Sequence, residues 1–153
     1  MKRPLFSIII PTLNEEKFIP KLLDSLVAQT VMDFEVIVTD GPSKDKAKQV
    51  VLGYKKKLPL TLISSKKGSL PLQRNLGARS AKGEWFVFID ADSILHPYFI
   101  ERIILYIREK HPVFFTTWAL PDSELTHDSI FTLLTNIYWE STVLIKRPVA
   151  PGP

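Results

Sequence analysis

The chain has 153 residues, 45% hydrophobic and 24% charged, a balance that suits one folded domain and not a disordered segment. It contains no cysteine, which excludes disulfides and thiolate metal centres, and no run reaches the roughly 18 uninterrupted apolar residues that a membrane-spanning helix needs. The net charge of +4 rests on lysines grouped at 44–48, 55–57 and 66–67, runs that fit solvated helix ends better than a nucleic-acid groove. Nucleic acid is therefore not an expected partner. Residues 5–10 are too short an apolar run for a cleavable signal, so a cytoplasmic setting is expected, the lysines leaving open a peripheral contact with an anionic membrane face.

In chain order, residues 5–10 read as a first strand stopped by Pro11. Phe18, Ile19, Leu22, Leu23, Leu26 and Val27 then recur at helical spacing. A proline deep inside a helix loses a hydrogen bond and clashes, so Pro20 belongs in the first turn and 12–17 is a loop. Residues 34–39 form a second strand ending at Asp40-Gly41. The helix that follows turns Ala47, Val50, Val51 and Tyr54 inward and carries lysines 55–57 in its last turn, where they complement the helix dipole. Residues 60–64 are a third strand, and Ser69-Leu70-Pro71 opens a helix that Gly83 closes. Trp85-Phe86-Val87-Phe88-Ile89 has the length and composition of a central strand buried on both faces. Pro97 starts a fourth helix with Phe99, Ile100, Ile103, Ile104 and Ile107 inward, and 113–117 make a fifth strand. Residues 130–145 suggest an amphipathic helix, packed in the core or resting on a membrane surface, which the proline-rich end cannot continue. The alternation predicts an α/β fold of three layers, a mostly parallel sheet with covering helices, Rossmann-like, in a single domain over 1–153.

An open α/β sheet binds ligands beyond the carboxyl ends of its strands. Three polar clusters fall there: Thr12 with Asn14, Glu15 and Glu16; Asp40 with Ser43 and Asp45; and Asp90 with Asp92. Asp90 and Asp92 point the same way in an extended loop, and the small Ala91 between them leaves room for a ligand or hydrated cation. Oxygen donors without cysteine or histidine favour Mg²⁺ or Mn²⁺, ions that usually arrive with phosphate oxygens. The plainer reading is a pair of turn or capping acids. Asp40 before Gly41 fits a turn, and its carboxylate also suits a base imide N–H or a ribose hydroxyl. Asn14 and Glu15 divide evenly between capping the first helix and meeting a ligand. Arg74, near the start of the third helix, presents a planar fork to phosphate oxygens, or else makes a surface ion pair. His96, His111 and His127 lack metal-ligand spacing.

Four segments taken together resemble the family 2 glycosyltransferases: Phe6-Ser7-Ile8-Ile9-Ile10-Pro11-Thr12-Leu13-Asn14-Glu15-Glu16, Ile37-Val38-Thr39-Asp40-Gly41-Pro42-Ser43-Lys44-Asp45, Arg74-Asn75-Leu76-Gly77-Ala78, and Gly83-Glu84 leading to Asp90-Ala91-Asp92-Ser93. The resemblance spans residues 5 to about 100. It implies a nucleotide-diphospho-sugar transferase domain of the A-type glycosyltransferase fold, a divalent cation, and inverting sugar transfer to a lipid carrier, glycan or protein. By that resemblance Pro11, Thr12, Asn14 and Glu15 line the nucleoside pocket and Asp40 contacts the base. Asp90 lies near the ribose, Ala91 belongs to the same nucleotide-sugar site, Asp92 with Asp90 holds Mg²⁺ or Mn²⁺ on the diphosphate, and Arg74 lies close to the phosphates.

Pro42 and Thr39 depart from the family pattern, which often has glycine or serine and a second aspartate there. The family carries its catalytic base well beyond the Asp-x-Asp. Asp122, Glu124 and Asp128 are acids without the matching context, so no catalytic base is assigned and the domain is expected to be incomplete at its C-terminus. The alternative is a truncated, non-catalytic module that only binds a nucleotide-sugar. A phosphatase would carry its aspartate pair on the first strand, followed by Gly-Thr, and a nucleoside triphosphatase needs G-x-x-x-x-G-K-[ST]; neither pattern is present.

Overall fold

In the computed structural model, which describes residues 3–115 and 117, four strands form one parallel sheet in the order β3-β2-β1-β4. The elements are β1 (Phe6–Thr12), α1 (Ile19–Val27), β2 (Phe34–Asp40), α2 (Ala47–Gly53), a 3₁₀ turn (Tyr54–Lys56), β3 (Leu60–Ser64), α3 (Leu70–Ser80), β4 (Trp85–Phe88) and α4 (Phe99–Lys110). Apart from Lys110, the last residue of α4, they belong to a compact unit, Met1–Glu109; of a second unit, Lys110–Pro153, only 110–115 and 117 are described. The expected helix over 130–145 and the acids Asp122, Glu124 and Asp128 lie outside the described residues. Among the described residues no helix is long and apolar enough to cross a membrane.

β1 lies between β2 and β4, and all seven of its residues are buried. It runs two residues past its expected end at Ile10, through Pro11 to Thr12, and strand geometry explains why. Phe6 N donates to Asp33 O beside β2, and Ile9 O accepts from Ile89 N beside β4. Even-numbered residues of β1 therefore direct their backbone groups to β2 and odd-numbered ones to β4. The missing N–H of Pro11 falls on the β4 side, where pairing has already ended at Ile9 and Phe88, so no ladder bond is lost.

β4 is an edge strand among the described residues, which corrects the expectation of a central one. Phe86 and Phe88 are 49% and 47% exposed. They share the face of their partners Ser7 and Ile9, and α3 covers that face over β1 and β2. Gly77 of α3 packs on Ile9 so closely that a β-carbon would collide with its side chain. A second correction concerns Gly83, since α3 ends at Ser80 with Ala81 as its C-cap. Gly83 is instead a site of close backbone approach. A β-carbon there would lie 2.5 Å from Ser7 N and 2.6 Å from Phe6 C. Its N–H donates to Ser7 Oγ at 2.8 Å, and Ser7 Oγ donates to Glu35 Oε1 at 2.7 Å, which ties the lead-in of β4 to β1 and β2. The fifth strand expected at 113–117 is also absent: residues 113–115 and 117 have no regular structure, and Val113 is 94% exposed.

The helices follow their apolar spacing. α1 has Pro20 in its first turn and buries Ile19, Leu22, Leu23 and Leu26, while Phe18 and Val27 at its margins stay exposed. α1 and α2 pack together, with Ala47 and Val51 buried on α2; lysines 55 and 56 sit in the 3₁₀ turn beyond it. α4 buries Ile100 and Ile103, with Phe99, Ile104 and Ile107 half-buried beside them.

Candidate functional site

The carboxyl ends of β1 and β2 are locked together by polar contacts. Asp40, the last residue of β2, is buried; its Oδ1 accepts from Thr12 Oγ1 at 2.9 Å and Ser43 Oγ at 2.7 Å. Its Oδ2 lies 3.5 Å from Lys48 Nζ and accepts no hydrogen bond. Two hydroxyl donors and one ammonium offset the cost of burying this carboxylate. The Gly41 N–H donates to Thr12 O at 2.8 Å. The two following loops exchange hydrogen bonds: Asn14 N donates to Ser43 Oγ and Lys44 N to Asn14 Oδ1, then Glu16 N to Asp45 Oδ2 and Lys46 N to Glu16 Oε2. Asn14 has φ of 59°, a left-handed conformation that asparagine tolerates better than most residues. Asn14 and Glu16 thus act as latches between loops.

Gln73 on α3 completes this end of the sheet. It is 3% exposed, and its Nε2 donates to Thr12 O and to Thr39 O, both at 2.7 Å, bridging the last turns of two strands from a third element. One residue on, Arg74 Nη2 meets Asp90 Oδ1 at 2.8 Å, while Arg74 Nε is buried without a partner. The loop carrying Asp90 and Asp92 is anchored from the other side by α1. Ser25 Oγ accepts from Leu95 N, and the Gln29 side chain donates to His96 O and accepts from Ile100 N, so two buried polar residues, one on α1 and one just past its end, hold the lead into α4.

These contacts leave a pocket of about 340 Å³ at the carboxyl ends of β1 and β4, lined by Pro11, Thr12, Leu13, Glu15, Gly68, Leu70, Gln73, Asp90, Ala91 and Asp92. Six of the nine residues expected at a ligand site therefore share one cavity. Ala91 is buried, whereas the carboxylates of Asp90 and Asp92 are exposed. Asp92 makes no hydrogen bond or ion pair among the described residues. Burial, and after it the charges of Asp92 and Asp45, push the Glu15 carboxyl above the ordinary carboxylate range. The pocket thus carries concentrated negative charge on oxygen donors. Among the described residues no three or more acidic or histidine groups gather closely enough to hold a metal by themselves.

The other three expected residues lie around the pocket. Asp40 sits behind Thr12, Arg74 reaches the pocket wall through Asp90, and Asn14 opens on a neighbouring groove with Glu16, Lys17, Phe18, Lys44 and Asp45. Sequence reasoning missed Gln73, Leu13, Gly68 and Leu70. The signal available for Gln73 was its adjacency to Arg74, since a glutamine on a helix otherwise reads as a surface residue. Gly68 leaves space for Leu13, whose Cδ2 would lie 2.8 Å from a β-carbon there.

Comparison with known proteins gives a consistent picture. The model of the glycosyl transferase family 2 matches residues 7–146. An uncharacterized glycosyltransferase of Haemophilus influenzae is 36% identical over 106 residues, 69% of this chain and 35% of that protein. The structure of Staphylococcus aureus TarS 1-349 in complex with UDP-GlcNAc superposes with a TM-score of 0.67 at 35% identity, covering 69% of this chain and 32% of that one. The mannosyltransferase PcManGT from Pyrobaculum calidifontis, in complex with GDP-Man and Mn²⁺, superposes with a TM-score of 0.65 at 25% identity, covering 86% and 39%. The chain spans between 32% and 39% of the length of these proteins.

Proposed function

The chain belongs to glycosyl transferase family 2, and from that membership we propose that it binds a nucleotide-diphospho-sugar in the pocket at the ends of β1 and β4 and transfers the sugar, with inversion, to an acceptor hydroxyl. The observation that carries this reading is the convergence of Pro11, Thr12, Glu15, Asp90, Ala91 and Asp92 on one cavity from two distant stretches of chain. TarS, with UDP-GlcNAc, and PcManGT, with GDP-Man, supply the donor chemistry to test.

In this reading Pro11, Thr12 and Glu15 line the nucleoside side of the pocket, with Asn14 latching their loop. Asp40, buried behind Thr12 with Oδ2 beside Lys48, would serve the base end of the pocket by holding Thr12 and Ser43 through Oδ1. Arg74 supplies positive charge to the phosphates while holding Asp90, and Ala91 keeps the floor open for the ribose. The donor set fits a hard divalent cation, because Mg²⁺ and Mn²⁺ are commonly held by one or two carboxylates with the rest of their coordination from phosphate oxygens and water. Asp92 and Asp90 would hold that ion, which when bound supplies charge stabilisation to the departing diphosphate. The acceptor oxygen must approach the anomeric carbon from the side opposite the diphosphate, which requires a carboxylate base away from Asp90 and Asp92.

Calorimetry with UDP-GlcNAc and GDP-mannose, each with Mn²⁺ and then with a chelator, tests the donor site. One of the two should bind, and only with the ion present. Failure of both with Mn²⁺ present would overturn the reading. Inversion is checked by the anomeric configuration of the released or transferred sugar.

A further inference from the structure

From Lys46 to Lys82 the chain contains no aspartate or glutamate, the flanking acids being Asp45 and Glu84, yet this stretch holds eight lysines and two arginines. The remainder of the chain carries ten cations against sixteen acids. The topology turns this segregation into a surface. Seven of the lysines lie on or beside α2, the 3₁₀ turn and β3, and β3 is, with β4, an edge strand of the sheet among the described residues. Lys46 and Lys48 stand at the start of α2, lysines 55–57 lead into β3, and Lys66 and Lys67 follow its end. Five residues of strand separate the last two groups, about 17 Å at 3.3–3.4 Å per residue. The cations therefore run as a stripe along one edge of the sheet.

We propose that this β3 edge docks on an anionic phospholipid surface. Lys55, Lys56, Lys66 and Lys67 are exposed and hold no ion pair among the described residues. The nearby acids already have partners: Asp24 accepts from the Tyr54 hydroxyl at 2.8 Å, Asp40 is buried against Lys48, and Asp45 accepts from the backbone of Glu16 and Ala47. Leu52, 47% exposed, sits one helical turn after Lys48 and one turn before Lys55 and Lys56, an apolar tip among lysines that suits the headgroup boundary. Nucleic acid is the less favoured occupant. The stretch has a single aromatic residue, Tyr54, whose ring already faces Lys57 Nζ at 5.3 Å, so there is no row of rings on which bases could stack. Lysines spread along an edge suit diffuse attraction to a charged sheet of headgroups more than forked recognition of single phosphates.

The stripe ends beside Gly68, which lines the pocket, so docking would bring that pocket to the membrane surface. Only the lysine charges and the exposed Leu52 tip enter the docking itself, not the donor pocket; a chain that fails every donor-binding assay should still bind vesicles. The experiment is flotation of the full 153-residue chain with vesicles of equimolar phosphatidylcholine and phosphatidylglycerol, against pure phosphatidylcholine, at about 0.1 M and about 1 M salt, where the screening length falls from roughly 10 to 3 Å. Binding should need the anionic lipid and be lost at high salt. Each lysine near such a surface contributes about fivefold, so Lys55→Gln/Lys56→Gln/Lys57→Gln should weaken binding roughly 100-fold, and Lys66→Gln/Lys67→Gln by a smaller factor in the same direction. Lys21→Gln/Arg102→Gln/Arg108→Gln, which removes equal charge from α1 and α4, should leave binding close to that of the unaltered chain. Equal loss in the two triple variants, equal binding to neutral vesicles, or tighter binding to a single-stranded oligonucleotide than to the vesicles would each overturn the assignment.

Discussion

Replacing Gln73 with methionine keeps the length and volume of the side chain and removes only its amide. The two hydrogen bonds lost, to Thr12 O and Thr39 O, are short and buried. Thr12 O keeps the Gly41 N–H, so at that carbonyl the loss is one of two donors and the full penalty of an orphaned group does not apply. At about 0.5–1.5 kcal/mol for each buried hydrogen bond, Gln73→Met should cost roughly 1–3 kcal/mol. For a chain of this size that corresponds to a fall of roughly 2–12 °C in Tm. Gln73→Glu, equally close in shape, sets a carboxylate against two carbonyl oxygens and should cost more at neutral pH. Its sign with pH is fixed: burial and the carbonyls raise the folded-state pKa of the introduced carboxyl. The protein should therefore come nearest to wild type below the ordinary carboxylate range and lose stability as pH rises through it. Urea denaturation followed by tryptophan fluorescence, at several pH values, measures both effects. A Gln73→Met protein within about 0.5 kcal/mol of wild type, or a Gln73→Glu protein with no added pH dependence, would refute the bridging role.

Asp92→Asn should abolish the Mn²⁺ dependence of nucleotide-sugar binding in calorimetry while changing stability by no more than about 0.5 kcal/mol, because the residue is exposed and packs nothing. Gly83→Ala should destabilise by about 1–3 kcal/mol or more in urea, since the added carbon meets the backbone of β1, which cannot rotate away. The Tyr54 hydroxyl, pushed up to about 12 by burial and then by its hydrogen bond to Asp24, should titrate late in a phenolate absorbance titration. Its stabilising contribution is complete below its ordinary value of 10 and is lost as pH rises through about 12; Asp24→Asn should bring the titration back toward 10.

Much of this protein was legible in the order of its residues. Apolar spacing located four strands and four helices, Pro20 marked the start of α1, and the motifs at the ends of β1 and β4 named six residues that share the pocket. Local patterning suffices for such features because the period of burial and the chemistry of turns are written within a few residues of each position. Neighbourhood is not written there. The apolar run 85–89 has the composition of a strand covered twice, yet among the described residues β4 is an edge, because pairing order depends on which strands meet and not on what each contains. Gly83 read as a helix stop, and only the proximity of β1 shows why a side chain cannot stand there. Gln73 had no local signature, since its partners lie 61 and 34 residues away at the ends of two other strands. Asn14, equally ready as a cap or a ligand group by itself, became a latch when folding set Ser43 and Lys44 against it. The sequence by itself determined which groups could do chemistry; the tertiary structure decided which face the pocket and which hold it open, because a hydrogen bond or a steric contact is a relation between distant residues and exists only once the chain has closed on itself.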